Sequence, residues 1–381
     1  MALPEPTPEA RAHSERVAGH IREEIAASGG WISFARYMEL ALYAPGLGYY
    51  SAGAKKLGKA GDFVTAPEIS PLYGQTLARQ VKQVLDADFD EVLEVGAGSG
   101  ALAATLLEEL ERSGKVPRSY LILELSADLR ERSRDRLAAR VPHLMERVAW
   151  LNRLPPSFSG VVLGNEVLDA MPAHVIRVQG RKFEEGGVGV KSGRLDWSWR
   201  LAGGELIDAA RPLGLPEGFR TEIQLSARGF MRSLGEVLEK GAAFFVDYGF
   251  PAKEYYHPQR KEGTLMCHYR HHAHADPFFL PGLQDITSHV DFSAIAAAAR
   301  AGGLEILGYT GQAQFLVNCG ITEVMARTPA EDAGAFLPLA NQANRLMSPA
   351  EMGELFKVIA LGKGFKAPLV GFREGDRRPA L

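Results

Sequence analysis

Residues 91 to 100 read EVLEVGAGSG, an apolar run that breaks into three glycines, Gly96, Gly98 and Gly100. The stretch that follows, ALAATLLEELER, has helical spacing of its apolar positions. A strand that ends in a glycine turn and feeds a helix is the opening unit of a doubly wound sheet, because only glycine lets the backbone come close to a ligand at the start of that helix. The pattern repeats along the chain. Strand 91–95 leads to helix 100–113, strand 119–124 to helix 126–140, and strand 160–164 to a turn over 165–172. Strands alternating with helices predict an α/β fold whose sheet is mostly parallel and covered on both faces. Between about 173 and 218 the alternation stops, and HVIRVQGRKFEEGGVGVKSGRLDWSWRLA predicts an antiparallel insertion. It resumes with helix 222–240 and strand AAFFVDYGF, then helix 291–302, strand 304–309, a helical stretch over 331–355 and a last strand, FKVIALGKG. Ahead of all this, residues 10–43 carry helical periodicity through Val17, Ile21, Ile25, Phe34, Met38 and Leu42.

Gly96, Gly98 and Ala101 also satisfy a loose dinucleotide fingerprint, so the glycines alone do not choose a ligand. Glu94 does. It stands two residues before Gly96, where a dinucleotide would place its pyrophosphate. A carboxylate repels that anion but attracts the ammonium and sulfonium cations of S-adenosyl-L-methionine. The second strand, YLILELS, ends on Glu124, placed to accept from both ribose hydroxyls, a feature shared by both kinds of cofactor.

VVLGNEVLDAMP ends the next strand on Asn165 and Glu166, and side chains at the carboxyl ends of such strands face the ligand crevice. Asn165 offers a donor and an acceptor. Glu166 offers two acceptors suited to a cationic nitrogen nucleophile, with Asp169 second to it, although Asn165 or Asp169 could instead cap the turn. AGDFVTAPEIS sets Asp62, Phe63 and Thr65 in a loop bounded by glycine and proline, able to fold over a cofactor as a lid or simply to pack. CHYRHHAHAD holds His268, His271, His272 and His274, but their spacing does not give the helical i, i+4 geometry of a metal pair, so no metal is expected and a polar substrate-side loop is. In GLQDITSHVDFSAI, Asp285 or Thr287 fixes a turn and Asp291 caps the next helix.

The bulk numbers exclude several classes. A chain of 381 residues, 46% apolar and 23% charged, has ample material for a core. A formal net charge of -3 argues against a coat for nucleic acid or anionic membrane. No apolar run reaches the roughly 18 residues of a membrane span. Two cysteines, Cys267 and Cys319, fit a reducing compartment, and the first 25 residues have neither an apolar signal core nor a transit-peptide composition. A soluble cytoplasmic protein is expected.

YAPGLGYY, GDFVTAPEIS, EVGAGSG, ILELS, GNEVLDAMP, VDYG, GTL followed by His271 and His274, DITSHVDF and FKVIALGKG occur in that order. Together they resemble the MidA-like class I S-adenosylmethionine-dependent methyltransferases, a family that includes a mitochondrial assembly factor for respiratory complex I acting as a protein-arginine methyltransferase. The resemblance runs from about 37 to 365, and GDFVTAPEIS paired with GNEVLDAMP is its most specific part. It implies a Rossmann-like, seven-stranded class I methyltransferase sheet with an N-terminal helical extension. The segments are then 1–85, helical and lid; 86–172, the first half of the sheet with the cofactor loop; 173–218, the antiparallel insertion; and 219–381, the second half with substrate-side loops. It also implies a cofactor held by Gly61, Asp62, Phe63, Thr65, Glu94, Gly96, Gly98 and Glu124, with Asn165 beside it. Glu166 and Asp169 would then serve a protein substrate, arginine first. Two rivals remain: a non-catalytic assembly or scaffold protein that keeps a cofactor-binding fold, and a nicotinamide oxidoreductase, which Glu94 disfavours.

Overall fold

The structure, a computed structural model, describes residues 3–52 and 64–381. They fall into two compact units that interleave along the chain. One takes in 3–52, 169–229 and 252–290, and the other 64–168, 230–251 and 291–381.

The second unit carries the glycine loop. Its helix α1 (Pro71–Leu85) starts with proline in its first turn and Ser70 as cap, the Ser70 hydroxyl accepting from the Leu72 amide at 3.2 Å. Then follow β1 (Glu91–Val95), α2 (Ala101–Arg112), β2 (Ser119–Leu123), α3 (Ala127–Arg140), β3 (Val148–Leu151), β4 (Phe158–Asn165), β5 (Leu238–Phe250), β6 (Glu305–Gly311) and β7 (Phe356–Lys363). The main path of the sheet runs β6-β7-β5-β4-β1-β2-β3. Strands β3, β2, β1, β4 and β5 are parallel neighbours, whereas β7 is antiparallel to both β5 and β6. The strand order reverses between β1 and β4. That reversal opens a crevice at the carboxyl ends of the parallel strands, where the glycine loop lies.

Both faces of this sheet are covered, as its nearly unbroken apolar strands require. Val92, Ile122, Val161, Phe244 and Val358 are buried in one cluster with Leu77 of α1 and Leu106 of α2. Each contributes about 1.5–3 kcal/mol through burial. Phe245, on the opposite face of β5, meets Phe230 edge-on at 6.0 Å between ring centroids. The helix predicted near 291 starts at Phe292, and Asp291 caps it by accepting from the Ala294 amide at 3.0 Å.

The first unit holds an antiparallel sheet in which Lys182–Lys191 pairs with His174–Gln179, Arg194–Leu201 and the short strand Ile32–Ser33, and Arg220–Ile223 pairs with His174–Gln179. The periodicity over 10–43 resolves into two helices, Pro8–Ala27 and Phe34–Tyr43. Gly29 and Gly30 separate them, with φ of 72° and 85°. The turn predicted at Asp285 and Thr287 is a strand instead. Asp285–Thr287 pairs with Met266–Tyr269, which also pairs with His272–His274 in a hairpin. Local turn chemistry misleads here because the partner strand lies some twenty residues back in the chain. The histidine segment is therefore an ordered hairpin, turned by Arg270 and His271 at φ of 46° and 63°.

Candidate functional site

At the carboxyl end of β1 the chain enters Gly96, Gly98 and Gly100 with φ of 68°, 54° and 78°, values that L side chains rarely adopt. Two of these glycines are also hemmed in. A Cβ on Gly96 would stand 3.0 Å from Cγ2 of Val167, and one on Gly100 would stand 2.9 Å from the Ser133 Cα. The Gly96 amide donates to the Leu123 carbonyl at 2.8 Å, which ties the loop to the end of β2.

Two carboxylates flank this loop. Glu94 is 2% exposed, and its Oε2 accepts from the Tyr120 hydroxyl at 2.6 Å. Burial pushes its carboxyl up to about 7, against the Tyr120 bond, which favours the ionised form. Glu124 is 7% exposed and accepts from the Gly98 amide at 3.1 Å and the Ser126 amide at 3.0 Å. Burial raises its pKa as well, opposed by those backbone donors. A bare-backbone cradle between two buried acids fits a ligand that carries hydroxyls and positive charge, and it is a poor place for a pyrophosphate.

The end of β4 supplies a second group of side chains. Tyr73, buried in α1, donates its hydroxyl to Asn165 Oδ1 at 2.5 Å. Asn165 Nδ2 donates to Glu166 Oε1 at 3.0 Å, and the Ala66 amide donates to the same oxygen at 3.1 Å. Glu166 has φ of 53°, the left-handed region, which is uncommon for a non-glycine residue. Its amide donates to the Val246 carbonyl at 2.8 Å. The next two amides, of Val167 and Leu168, both donate to Asp247 Oδ2, at 3.1 and 2.8 Å. Asp247 is fully buried in β5. Val167, which packs against the Gly96 position, links this turn to the glycine loop.

The structure therefore brings Glu94, Gly96, Gly98, Glu124, Asn165 and Glu166 to one end of the second unit's sheet. Thr65 sits just before the short helix Ala66–Ile69, its carbonyl accepting from the Glu68 amide at 3.0 Å. Gly61, Asp62 and Phe63 lie outside the described residues. Asp169 belongs to the first unit, where its side chain is 5% exposed and its carbonyl accepts from the Ser288 amide at 3.1 Å. Among the described residues no group of three or more His, Cys, Asp or Glu side chains is placed to hold a metal ion.

Sequence reasoning passed over Tyr73, Tyr120 and Asp247. Tyr120 had a signal, since it lies four residues before Glu124 on a strand next to Glu94, and a buried tyrosine hydroxyl needs a partner. Tyr73 had none, because its partner is 92 positions away.

Residues 74–310 match the family model described as "Putative S-adenosyl-L-methionine-dependent methyltransferase". The chain is 30% identical to a Mus musculus relative named protein arginine methyltransferase NDUFAF7, mitochondrial, over 90% of this chain and 83% of the relative. It is 28% identical to the Drosophila melanogaster homolog of that name, over 98% of this chain and 93% of the relative. A crystal structure of a Burkholderia thailandensis protein bound to S-adenosyl-homocysteine superposes with a TM-score of 0.96, at 52% identity and 100% coverage of both chains.

Proposed function

The chain belongs to this family of S-adenosyl-L-methionine-dependent methyltransferases, and from that premise we propose that it methylates a protein side chain, the guanidinium of arginine first. The observation that carries the proposal is Glu166, a carboxylate held in a left-handed backbone at the end of β4, next to the turn that packs on the glycine loop. The names of the mouse and fly relatives support arginine as the acceptor.

In this reading Gly96, Gly98, Glu94, Glu124, Asn165 and Thr65 hold the cofactor. When bound, S-adenosyl-L-methionine supplies an electrophilic methyl group. Everything else falls to the chain's own side chains. Glu94 offsets positive charge at the amino-acid end, and Glu124 accepts from ribose hydroxyls. Glu166 orients the acceptor guanidinium, which is protonated at neutral pH and whose planar fork matches a carboxylate. A carboxylate there also offsets the positive charge that builds on the reacting nitrogen, and so favours the transition state over the ground state. A scaffold without catalysis has no use for this paired acid arrangement. The cytoplasm remains the proposed compartment, on the same composition that suggested it: two cysteines are too few for a disulfide framework.

The test is the identity of the methylated product. Purified protein is added with labelled-methyl cofactor to a lysate from a strain lacking it, and the labelled proteins are hydrolysed to amino acids. Label in N-methylated arginine is expected. Label confined to methyl-lysine, or released as methanol from methyl esters on hydrolysis, contradicts the arginine reading.

A further inference from the structure

The helix that follows Glu124 carries a guanidinium with two of its donors unpaired among the described residues. Arg130 is partly buried on α3, and among the described residues its Nε and Nη2 are both buried without a hydrogen-bond partner. Burying guanidinium donors unpaired is unfavourable, so such donors mark a place where an acceptor arrives.

Its position says which acceptor. Ser126 caps α3 through the Leu129 amide at 3.2 Å, and the Ser126 amide donates to Glu124 Oε1 at 3.0 Å. The Arg130 amide donates to the Ser126 carbonyl at 3.0 Å, one turn on. Ser133, three residues further, backs onto Gly100. Ser126, Arg130 and Ser133 thus share the side of α3 that faces Glu124 and the glycine loop, because positions three and four apart are neighbours on a helix. A long helical side chain leans toward the helix N-terminus, which carries the Arg130 guanidinium toward Glu124. Its charge is felt there, drawing the Glu124 pKa down against burial. Leu125, next to Glu124, is 71% exposed.

We propose that Arg130 is a cofactor-binding residue that recognises the nucleoside end of S-adenosyl-L-methionine, donating from Nε and Nη2 to adenine ring nitrogens and ribose oxygens. The proposal rests on the reading of Glu94 and Glu124 as the two ends of the cofactor site. Adenine and ribose present neutral acceptors, which suit a guanidinium fork, and its plane can also lie against a base. The sulfonium end carries positive charge and is matched to Glu94, so a second cation belongs away from it.

Calorimetry with two ligands tests this. S-adenosylhomocysteine carries both the nucleoside and the amino-acid end, and 5′-methylthioadenosine carries the nucleoside without the amino acid. Arg130→Met keeps the apolar stem and removes every donor. It is expected to weaken both ligands by a similar factor, about 10- to 100-fold, the range for charge-assisted hydrogen bonds. Arg130→Lys, a charge without the fork, should fall between parent and Met. Without ligand, the melting temperature of Arg130→Met should stay within a few degrees of the parent, because only the attraction between Arg130 and Glu124 is lost. Parent-like binding of both ligands by either variant overturns the proposal. Loss of S-adenosylhomocysteine alone overturns it too, since the contact is then with the amino-acid carboxylate. A clear fall in the ligand-free melting temperature marks a structural arginine and also overturns it. If the parent itself binds neither ligand, the underlying reading of the site fails instead.

Discussion

A glutamate in the left-handed region costs on the order of 1–3 kcal/mol unless its surroundings hold it there. Around Glu166 they do. Its amide is fixed on Val246, and the two amides after it are fixed on the buried Asp247. Strain held this firmly at a strand end is what a side chain with a placement-critical task requires. That the ends of β4 face a crevice was legible in the sequence, because Asn165 and Glu166 close an apolar strand. The backbone twist was not, since it is imposed by a strand eighty residues later. Glu166→Gln keeps the shape and one acceptor oxygen for the Ala66 amide. Methyl transfer should fall by roughly 10²–10⁴, the range for a positioned acid–base group, while S-adenosylhomocysteine affinity stays within a few fold. Transfer rates measured alongside calorimetry check this. Unchanged transfer removes Glu166 from acceptor handling, and lost cofactor affinity moves it to the cofactor.

At the scale of elements, the strand–loop–helix unit was readable because period and punctuation agree. The apolar run, the three glycines and the helical spacing all point to one structure. Readability failed where pairing is distant. Asp285–Thr287 looks like a turn by composition and becomes a strand only because Met266–Tyr269 lies beside it. The glycines of the loop divide into two tasks, which substitution can separate. Gly100→Ala puts a Cβ against the backbone of Ser133 in a left-handed residue, so it should cost about 1–3 kcal/mol of folding stability. Gly98→Val, at φ of 54°, should also cost about 1–3 kcal/mol of stability. It should in addition abolish cofactor binding, because a branched side chain there fills the space where the backbone meets the ligand. Denaturant unfolding and ligand titration of the two variants distinguish these outcomes. A Gly98→Val protein that binds S-adenosylhomocysteine like the parent shows that the loop does not form the site.

At the scale of the molecule, the division into two interleaved units was legible only in part: the break in alternation over 173–218 falls inside the first unit's segment 169–229, but the joints themselves carry no signal. Leu168 and Asp169 are adjacent in GNEVLDAMP yet belong to different units, and no change of composition or charge marks that joint. Boundaries of this kind are set by long-range packing, whereas the sheet's own periodicity is local. The cofactor question, by contrast, was settled by a single charge in the sequence, Glu94 beside the glycines, and the family match agrees with it. That charge is expected to select a sulfonium ligand over a dinucleotide. Calorimetry of the unmodified protein with S-adenosylhomocysteine, NAD and NADP tests it most directly, with the melting temperature followed in parallel. S-adenosylhomocysteine should bind and, at a hundredfold excess over its Kd, stabilise the fold by about 2.7 kcal/mol, while neither dinucleotide gives heat or a melting shift. Tight binding of NAD with none of S-adenosylhomocysteine would contradict the account.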